Sequence, residues 1–112
     1  MAYDEMLAMR VRDALGDRQK VTEKRMMGGV CFLLNGNMVC GVDRTKTGAD
    51  RFMFRVGKDS AAVSKLRGGV VVTMGERAMP GFYFVDEAEC TQKNFNAWLE
   101  AAKAYAESLP PK

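Results

Sequence analysis

The stretch MMGGVCFLLNGNMVCGV, residues 26–42, decides the fold of this chain. Two apolar runs, residues 30–34 and 37–42, flank the dipeptide Asn35-Gly36. Asn-Gly is the pair that a two-residue type I′ turn prefers, because both central residues of that turn need positive φ angles. The stretch therefore predicts a β-hairpin with these two runs as its arms.

Segments on either side of the hairpin alternate between helical and strand patterns. Upstream, residues 3–15 place their apolar side chains on one helical stripe, and residues 21–27 can extend as a further strand. Downstream, the sequence predicts a strand, a short helix, two strands and a long amphipathic helix. Their bounds are residues 51–56, residue 58 to Gly68-Gly69, residues 70–74 and 81–85, and about residues 91–107.

This order predicts the fold class. Strands joined by short connections are antiparallel, and helices with one apolar face cover one side of the sheet that the strands form. We therefore expect an α+β fold, a two-layer α/β sandwich with the order α-β(3)-α-β(2)-α. At 112 residues the chain is expected to form a single domain over residues 1–112.

Composition argues against several classes of function. The chain contains no histidine, which removes the commonest general base and the usual nitrogen ligand of metals. Its net charge of +3 is mild for a nucleic-acid-binding protein. No run has the roughly 18 apolar residues of a membrane helix, and the charged N-terminus lacks the apolar centre of a secretory signal. We expect a cytoplasmic protein with no catalytic residues, no metal and no cofactor.

The densest basic stretch contains Arg18, Lys20, Lys24 and Arg25, interrupted by Glu23. Lysine and arginine on an exposed strand edge commonly protect that edge from aggregation. The same residues could instead contact phosphates of a nucleic acid. Both interpretations stay open at this point.

Three cysteines occur, and two of them lie in the hairpin. If Asn35 and Gly36 are the central turn residues, an uninterrupted ladder places Cys31 opposite Cys40. The Cβ atoms of such a pair lie about 4.5–5.5 Å apart, near the distance that a disulfide requires. The spacing therefore allows a redox pair, and the alternative is two reduced, buried thiols, which are usual in the cytosol. A turn at Gly36-Asn37 would remove the pairing.

Methionine and one arginine mark two further features. The chain has nine methionines, many on predicted strands, where they either fill the core or form an adaptable partner-binding face. Arg55 lies between Phe54 and Val56, which point to the opposite face of their strand. We expect Arg55 either on the solvent side of the sheet or paired with a carboxylate such as Asp86 or Glu76, and contact with an anionic ligand is a third interpretation.

The order and spacing of several short words resemble the N-terminal domain of the TfoX/Sxy family of bacterial competence regulators. The matching residues are KRMMGG at 24–29, FLLNGNM at 32–38, FRVG at 54–57, MPGF at 79–82, Trp98-Leu99 and the tail Ser108-Leu109-Pro110. The resemblance implies an α-β(3)-α-β(2)-α domain similar to secretion-chaperone folds, without catalytic residues. Full regulators of the family carry a second, helical C-terminal domain, whereas this sequence ends at Lys112, so the resemblance is to a stand-alone N-terminal domain.

Together these features predict a small non-catalytic regulatory or adaptor domain. It would act by protein–protein contact through the sheet face or an edge strand, and the similar chaperone folds imply a homodimer. The alternative is a nucleic-acid-associated transcriptional regulator that uses the basic stretch at residues 18–25.

Overall fold

A computed structural model describes residues 4–16, 20–26, 29–45, 47–57, 66, 68–74 and 76–110. The predicted short helix that begins at residue 58 lies almost wholly outside these ranges. The described elements, in chain order, are helix α1 (Glu5–Leu15), strands β1 (Val21–Met26), β2 (Gly29–Leu34), β3 (Asn37–Arg44), β4 (Asp50–Arg55), β5 (Gly69–Met74) and β6 (Arg77–Asp86), a 3-10 turn (Glu87–Glu89) and helix α2 (Gln92–Ser108).

The six strands form one antiparallel sheet in the order β1-β2-β3-β4-β6-β5. Both described helices pack against its central strands, α1 against β2 and β3, and α2 against β2, β3 and β4. The two-layer α+β prediction is confirmed. The segment that the sequence left as an optional strand is β1, at one edge of the sheet. Neither described helix is long and apolar enough to cross a membrane.

The hairpin turn forms as its sequence predicts. Asn35 has a φ of 55° and Gly36 a φ of 82°, the two positive values that a type I′ turn requires. Next to the turn, Leu34 pairs with Asn37 and Leu33 pairs with Met38. The first two rungs of the ladder therefore have the expected register.

A β-bulge changes the register two residues beyond the turn. Phe32 pairs with Cys40 and Cys31 pairs with Gly41, so β3 carries one extra residue, Val39. Val39 and Cys40 both point into the core, where each is fully buried. The predicted Cys31–Cys40 pairing is wrong, because counting outward from the turn assumes a ladder without bulges.

Each of the two described helices begins at a capping residue, and the apolar stripe of α2 faces the sheet. Asp4 accepts a hydrogen bond from the Met6 backbone N–H (2.9 Å) and begins α1, and Thr91 accepts one from the Asn94 N–H (3.2 Å) and begins α2. The apolar stripe of α2 packs on the aromatic residues of β4, with the Trp98 ring stacked 5.6 Å from the ring of Phe54.

Strand β6 is longer than the predicted strand at residues 81–85 because it continues through Pro80-Gly81. Between the pairs Val71–Tyr83 and Thr73–Ala78, β6 has four residues where β5 has one. Proline has no backbone N–H to donate, so an irregular segment of this kind accommodates it without a lost ladder bond. Gly81 there has a φ of 90°, and its backbone lies directly against that of Gly57.

Candidate interaction surface

The face of the sheet that points away from α1 and α2 is the outer face. On this face, one residue from each of the six strands lies in a row, and each residue is the pairing partner of the next. We call this row the outer row. Its members, from β1 to β5, are Lys24, Cys31, Gly41, Met53, Phe84 and Val70. Beyond Lys24 the row is apolar, and α1 and α2, the two described helices, both pack on the opposite side of the sheet.

The outer row is partly open to solvent. Val70 is 67% exposed, and Met53 and Phe84 are half-buried. At the centre of the row Gly41 has no side chain, and the Met38 side chain reaches over it. A Cβ at Gly41 would lie 3.3 Å from Met38 Cε and 3.7 Å from Cys31 Sγ. The outer row therefore forms a continuous apolar surface.

Methionines contribute to this surface rather than to the core. None of the methionine side chains in the described part of the chain belongs to the buried core. Met38 and Met53 are half-buried on the outer face, and Met6 and Met9 are exposed on α1. Of the two interpretations of the methionines, core filling does not hold for the described side chains.

Arg51 borders the outer row on one side. Its Nε and Nη2 donate to the two carboxylate oxygens of Asp43 at 2.7 and 3.1 Å. Its guanidinium also lies over the ring of Phe84, with Cζ 3.5 Å from the ring centroid. Asp86 pairs with Arg51 in the strand register. The Arg51 guanidinium is therefore held by the Asp43 carboxylate, and its flat face covers the ring of Phe84, a member of the outer row.

Arg55 borders the outer row on the other side. Its Cζ lies 5.4 Å from the ring centroids of both Phe82 and Tyr105. Neither Asp86 nor Glu76, the carboxylates considered from the sequence, forms a salt bridge with it. Phe54 and Val56 are buried on the opposite face, as the alternation predicts. Arg55 is thus a half-buried cation held by aromatic rings.

Strand alternation divides the basic stretch of the sequence. Arg18 lies outside the described residues, and Lys20 is exposed just before β1. Lys24 pairs with Cys31 on the outer face, whereas Arg25 pairs with Val30 on the helix-covered face. The two cations therefore point to opposite sides of β1.

Glu23, which lies between them, is bound on the helix side. Its carboxylate accepts two hydrogen bonds from Arg12 of α1, at 2.6 and 2.7 Å. This arrangement does not favour a phosphate-binding patch on β1.

All three cysteines are free and buried. Cys31 points to the outer face and Cys40 into the core, so the sheet separates the two thiols. Burial raises the pKa of each thiol, well above its usual range for Cys40, and the nearby Asp43 carboxylate raises the pKa of Cys31 further. The thiols are therefore protonated at neutral pH and are poor nucleophiles.

We expect no disulfide between Cys31 and Cys40 under mild oxidation. After exposure to oxidised glutathione, denaturation and alkylation with iodoacetamide, mass spectrometry should find both residues fully carbamidomethylated. Cys90, on another part of the fold, serves as an internal reference for complete alkylation. A disulfide-linked pair of peptides containing Cys31 and Cys40 would contradict the register.

An open cleft lies between α1 and α2. It is lined by Arg10, Asp13, Ala14, Gln92, Asn96, Leu99 and Glu100. The Arg10 guanidinium lies 4.3 Å from the Phe95 ring centroid and donates to the Cys90 carbonyl oxygen at 3.4 Å. Arg10 therefore ties α1 to the segment before α2. In the part of the chain that the structure describes, no group of cysteines and carboxylates could hold a metal ion.

Residues that carry the sequence resemblance contact one another. The Asn37 side-chain amide donates to the Pro110 carbonyl oxygen at 3.0 Å, which joins the hairpin to the C-terminal tail. A Cβ at Gly29 would lie 2.5 Å from the Val42 carbonyl oxygen, so only glycine allows β2 to approach β3 so closely. These contacts hold the fold together.

Comparison with known families supports the resemblance. The model described as TfoX N-terminal domain matches residues 13–106 of this chain, which include all six strands and most of α2. No match was found among the curated proteins or among the solved structures.

Proposed function

We propose a function from the premise that this chain belongs to the TfoX N-terminal domain family. Membership makes it a competence-regulator-like domain. The proposal is that the domain is a regulatory or adaptor module without catalytic activity, which acts by binding another protein through the outer face of its sheet.

The outer row is the observation that carries this proposal. Soluble domains normally bury an apolar sheet face against a second layer. Here both described helices lie on one side, and an apolar row with a 67% exposed valine at its end crosses the other. Exposed apolar surface with a polar rim is typical of protein-binding sites, and methionine adapts well to partners of different shape.

Arg51 and Arg55, which border the outer row on its two sides, supply positive charge that would orient the partner. Arg51 is already paired with Asp43, so it contributes packing more than binding energy. Arg55 is held between Phe82 and Tyr105, and its guanidinium can form a bidentate contact with a carboxylate. We therefore propose that the partner places apolar side chains over Met53 and an acidic residue against Arg55.

Absence of catalysis is part of the same proposal. The chain has no histidine, and burial keeps its thiols protonated. Cysteine catalysis requires a thiolate, which needs a lowered pKa rather than a raised one. The alternative of nucleic-acid binding has less support, because Lys24 and Arg25 point to opposite sides of β1.

A matched pair of variants tests the proposed surface. Met53→Glu introduces a charge into the outer row, whereas Met9→Glu makes the same change on α1, where Met9 is 45% exposed. The new carboxylate at residue 53 lies between Arg51 and Arg55 on β4, which should help the variant to fold. Circular dichroism would verify that both variants are folded.

Affinity purification from the native cell, followed by quantitative mass spectrometry, then compares the variants. We expect a protein that the wild type and Met9→Glu enrich equally and that Met53→Glu enriches at least about tenfold less, or about 1.4 kcal/mol, since the substitution removes the apolar contact and its carboxylate competes with the partner's acidic residue for Arg55. The same set of captured proteins for all three chains would refute the proposed surface.

A further inference from the structure

The two edges of the sheet differ in chemistry. The edge strand β1 carries exposed Glu23, Lys24 and Arg25, a common means of preventing edge-to-edge pairing. The other edge strand, β5, has no charged residue over Gly69–Met74. Its Val70 and Val71 are 67% and 39% exposed. One edge is thus protected against pairing and the other is not.

Among the strands that the structure describes, β6 alone pairs with β5, so the other side of the β5 backbone has no strand partner among them. Every second residue of an edge strand directs its N–H and C=O groups away from the sheet, where another strand can bind them. The edge therefore offers both main-chain hydrogen bonds and apolar side chains.

We propose that β5 pairs antiparallel with β5 of a second copy of this chain, which joins the two six-stranded sheets into one. The inference concerns the edge and does not depend on the outer face binding a partner protein.

Symmetry and charge favour a second copy as the occupant. Contact of β5 with β5 is isologous and closes at a dimer, whereas contact of β5 with β1 would leave free edges and grow into filaments. The charges of β1 oppose that second arrangement. A strand without charges pairs with its own copy without bringing like charges opposite each other.

The register of such a dimer follows from the alternation of side chains. A two-fold axis perpendicular to the sheet keeps the outer faces of both copies on the same side. Paired residues must therefore point to the same face, and a register centred on Val71 satisfies this condition. Val71 then lies opposite the partner's Val71, and Val70 lies beside the partner's Val72. Val70 ends the outer row, so the apolar surface continues across the axis into the second copy.

The size of the contact sets its strength. A single pair of short strands buries less than about 1,200 Å² in total, which is typical of weak and transient interfaces. We therefore expect a dissociation constant in the micromolar range. Sedimentation equilibrium should therefore cover protein concentrations from about 1 to about 500 µM.

The test compares three variants with the wild type. Val71→Lys places two ammonium groups opposite each other at the axis, Val70→Lys changes a more exposed position, and Thr22→Lys makes a similar change on the exposed outer side of β1. We expect the wild type and Thr22→Lys to form dimers with similar dissociation constants. Both β5 variants should dimerise at least about tenfold more weakly, because Val71→Lys places like charges directly opposite each other and Val70→Lys places a charge against the apolar side chain of the partner's Val72.

Hydrogen exchange identifies the surface used. Amides of residues 70–73 should exchange more slowly as the wild-type concentration rises, whereas those of residues 22–25 should not change. A wild type that stays monomeric at all concentrations would overturn the proposal, including the case in which β5 binds a strand of another protein. A dimer that the β5 substitutions leave intact would also overturn it.

Discussion

Gly81→Ala will lower the free energy of unfolding by about 3 kcal/mol or more, and Gly48→Ala will lower it by only about 1–2 kcal/mol. The two glycines have nearly the same φ, 90° and 89°, so alanine at either position must adopt a positive φ. They differ in surroundings. A Cβ at Gly48 meets nothing within 4 Å, whereas a Cβ at Gly81 lies 3.0–3.2 Å from the backbone of Gly57.

The cost at Gly81 is larger because backbone cannot move aside as a flexible side chain can. The Val56 N–H donates to the Gly81 carbonyl oxygen at 2.8 Å, so separating the two segments also weakens this hydrogen bond. Tyr105 limits movement in the other direction, since its ring packs on Gly57. Alanine at residue 81 therefore disturbs β4, β6 and the end of α2 together.

Urea denaturation of the two variants, followed by circular dichroism, measures this difference. Gly48→Ala supplies the strain that positive φ alone causes, and the excess loss at Gly81 isolates the close approach. Equal losses in the two variants would show that the segments at Gly57 and Gly81 separate easily, which would contradict the packing described here.

Short-range features of the fold could be predicted because neighbouring residues determine them. Asn35-Gly36 favours a type I′ turn because both residues tolerate the positive φ that this turn requires, and the spacing of Phe95, Trp98 and Leu99 defines the buried side of α2. The sandwich architecture followed from the order of such elements and the short connections between them. Helix and strand bounds agreed within a few residues where the structure describes them.

The bulge at Val39 could not be predicted because no local preference demands it. Valine and cysteine suit a regular strand as well as a bulged one, and the extra residue is accommodated because it places Val39 and Cys40 together in the core. One unpaired residue then moved Cys40 to the face opposite Cys31. A cross-strand distance such as that between Cys31 and Cys40 can be inferred from the turn only when no bulge lies between the turn and the two residues.

Prediction of the candidate interaction surface also requires knowledge of contacts between segments that are distant in the sequence. The sequence placed Arg55 on the face opposite Phe54, but its aromatic neighbours come from β6 and α2. The outer row joins residues from all six strands, and two of its links depend on the order β4-β6-β5. That order follows from the crossover between β4 and β5, which composition and periodicity do not specify.

Raising the pH above about 8.5 will reduce the stability of this protein steeply. Cysteine in the unfolded chain ionises near pH 8.5, whereas burial raises the pKa of Cys31, Cys40 and Cys90 in the folded state. Below pH 8.5 the thiols are protonated in both states and stability does not depend on them. Above it the unfolded chain loses protons that the folded chain retains, so unfolding becomes more favourable until the pH passes the folded pKa.

The slope of the free energy of unfolding against pH depends on how many thiols ionise only in the unfolded chain. Each contributes at most about 1.4 kcal/mol per pH unit, so the three together contribute up to about 4 kcal/mol per pH unit. Urea denaturation between about pH 7.5 and 10.5 measures the free energy of unfolding across this window.

Cys31→Ala is the control, because Cys31 is the thiol on the outer face and its removal leaves the helix-covered core intact. The variant should show a slope shallower by up to about 1.4 kcal/mol per pH unit, whatever its stability at neutral pH. All other ionisable groups are the same in both proteins, so their contribution cancels in the comparison. If the two slopes coincide, Cys31 ionises as readily in the folded chain as in the unfolded chain. The outer face around Cys31 must then be more open to water than its burial under Met38 and beside Asp43 implies.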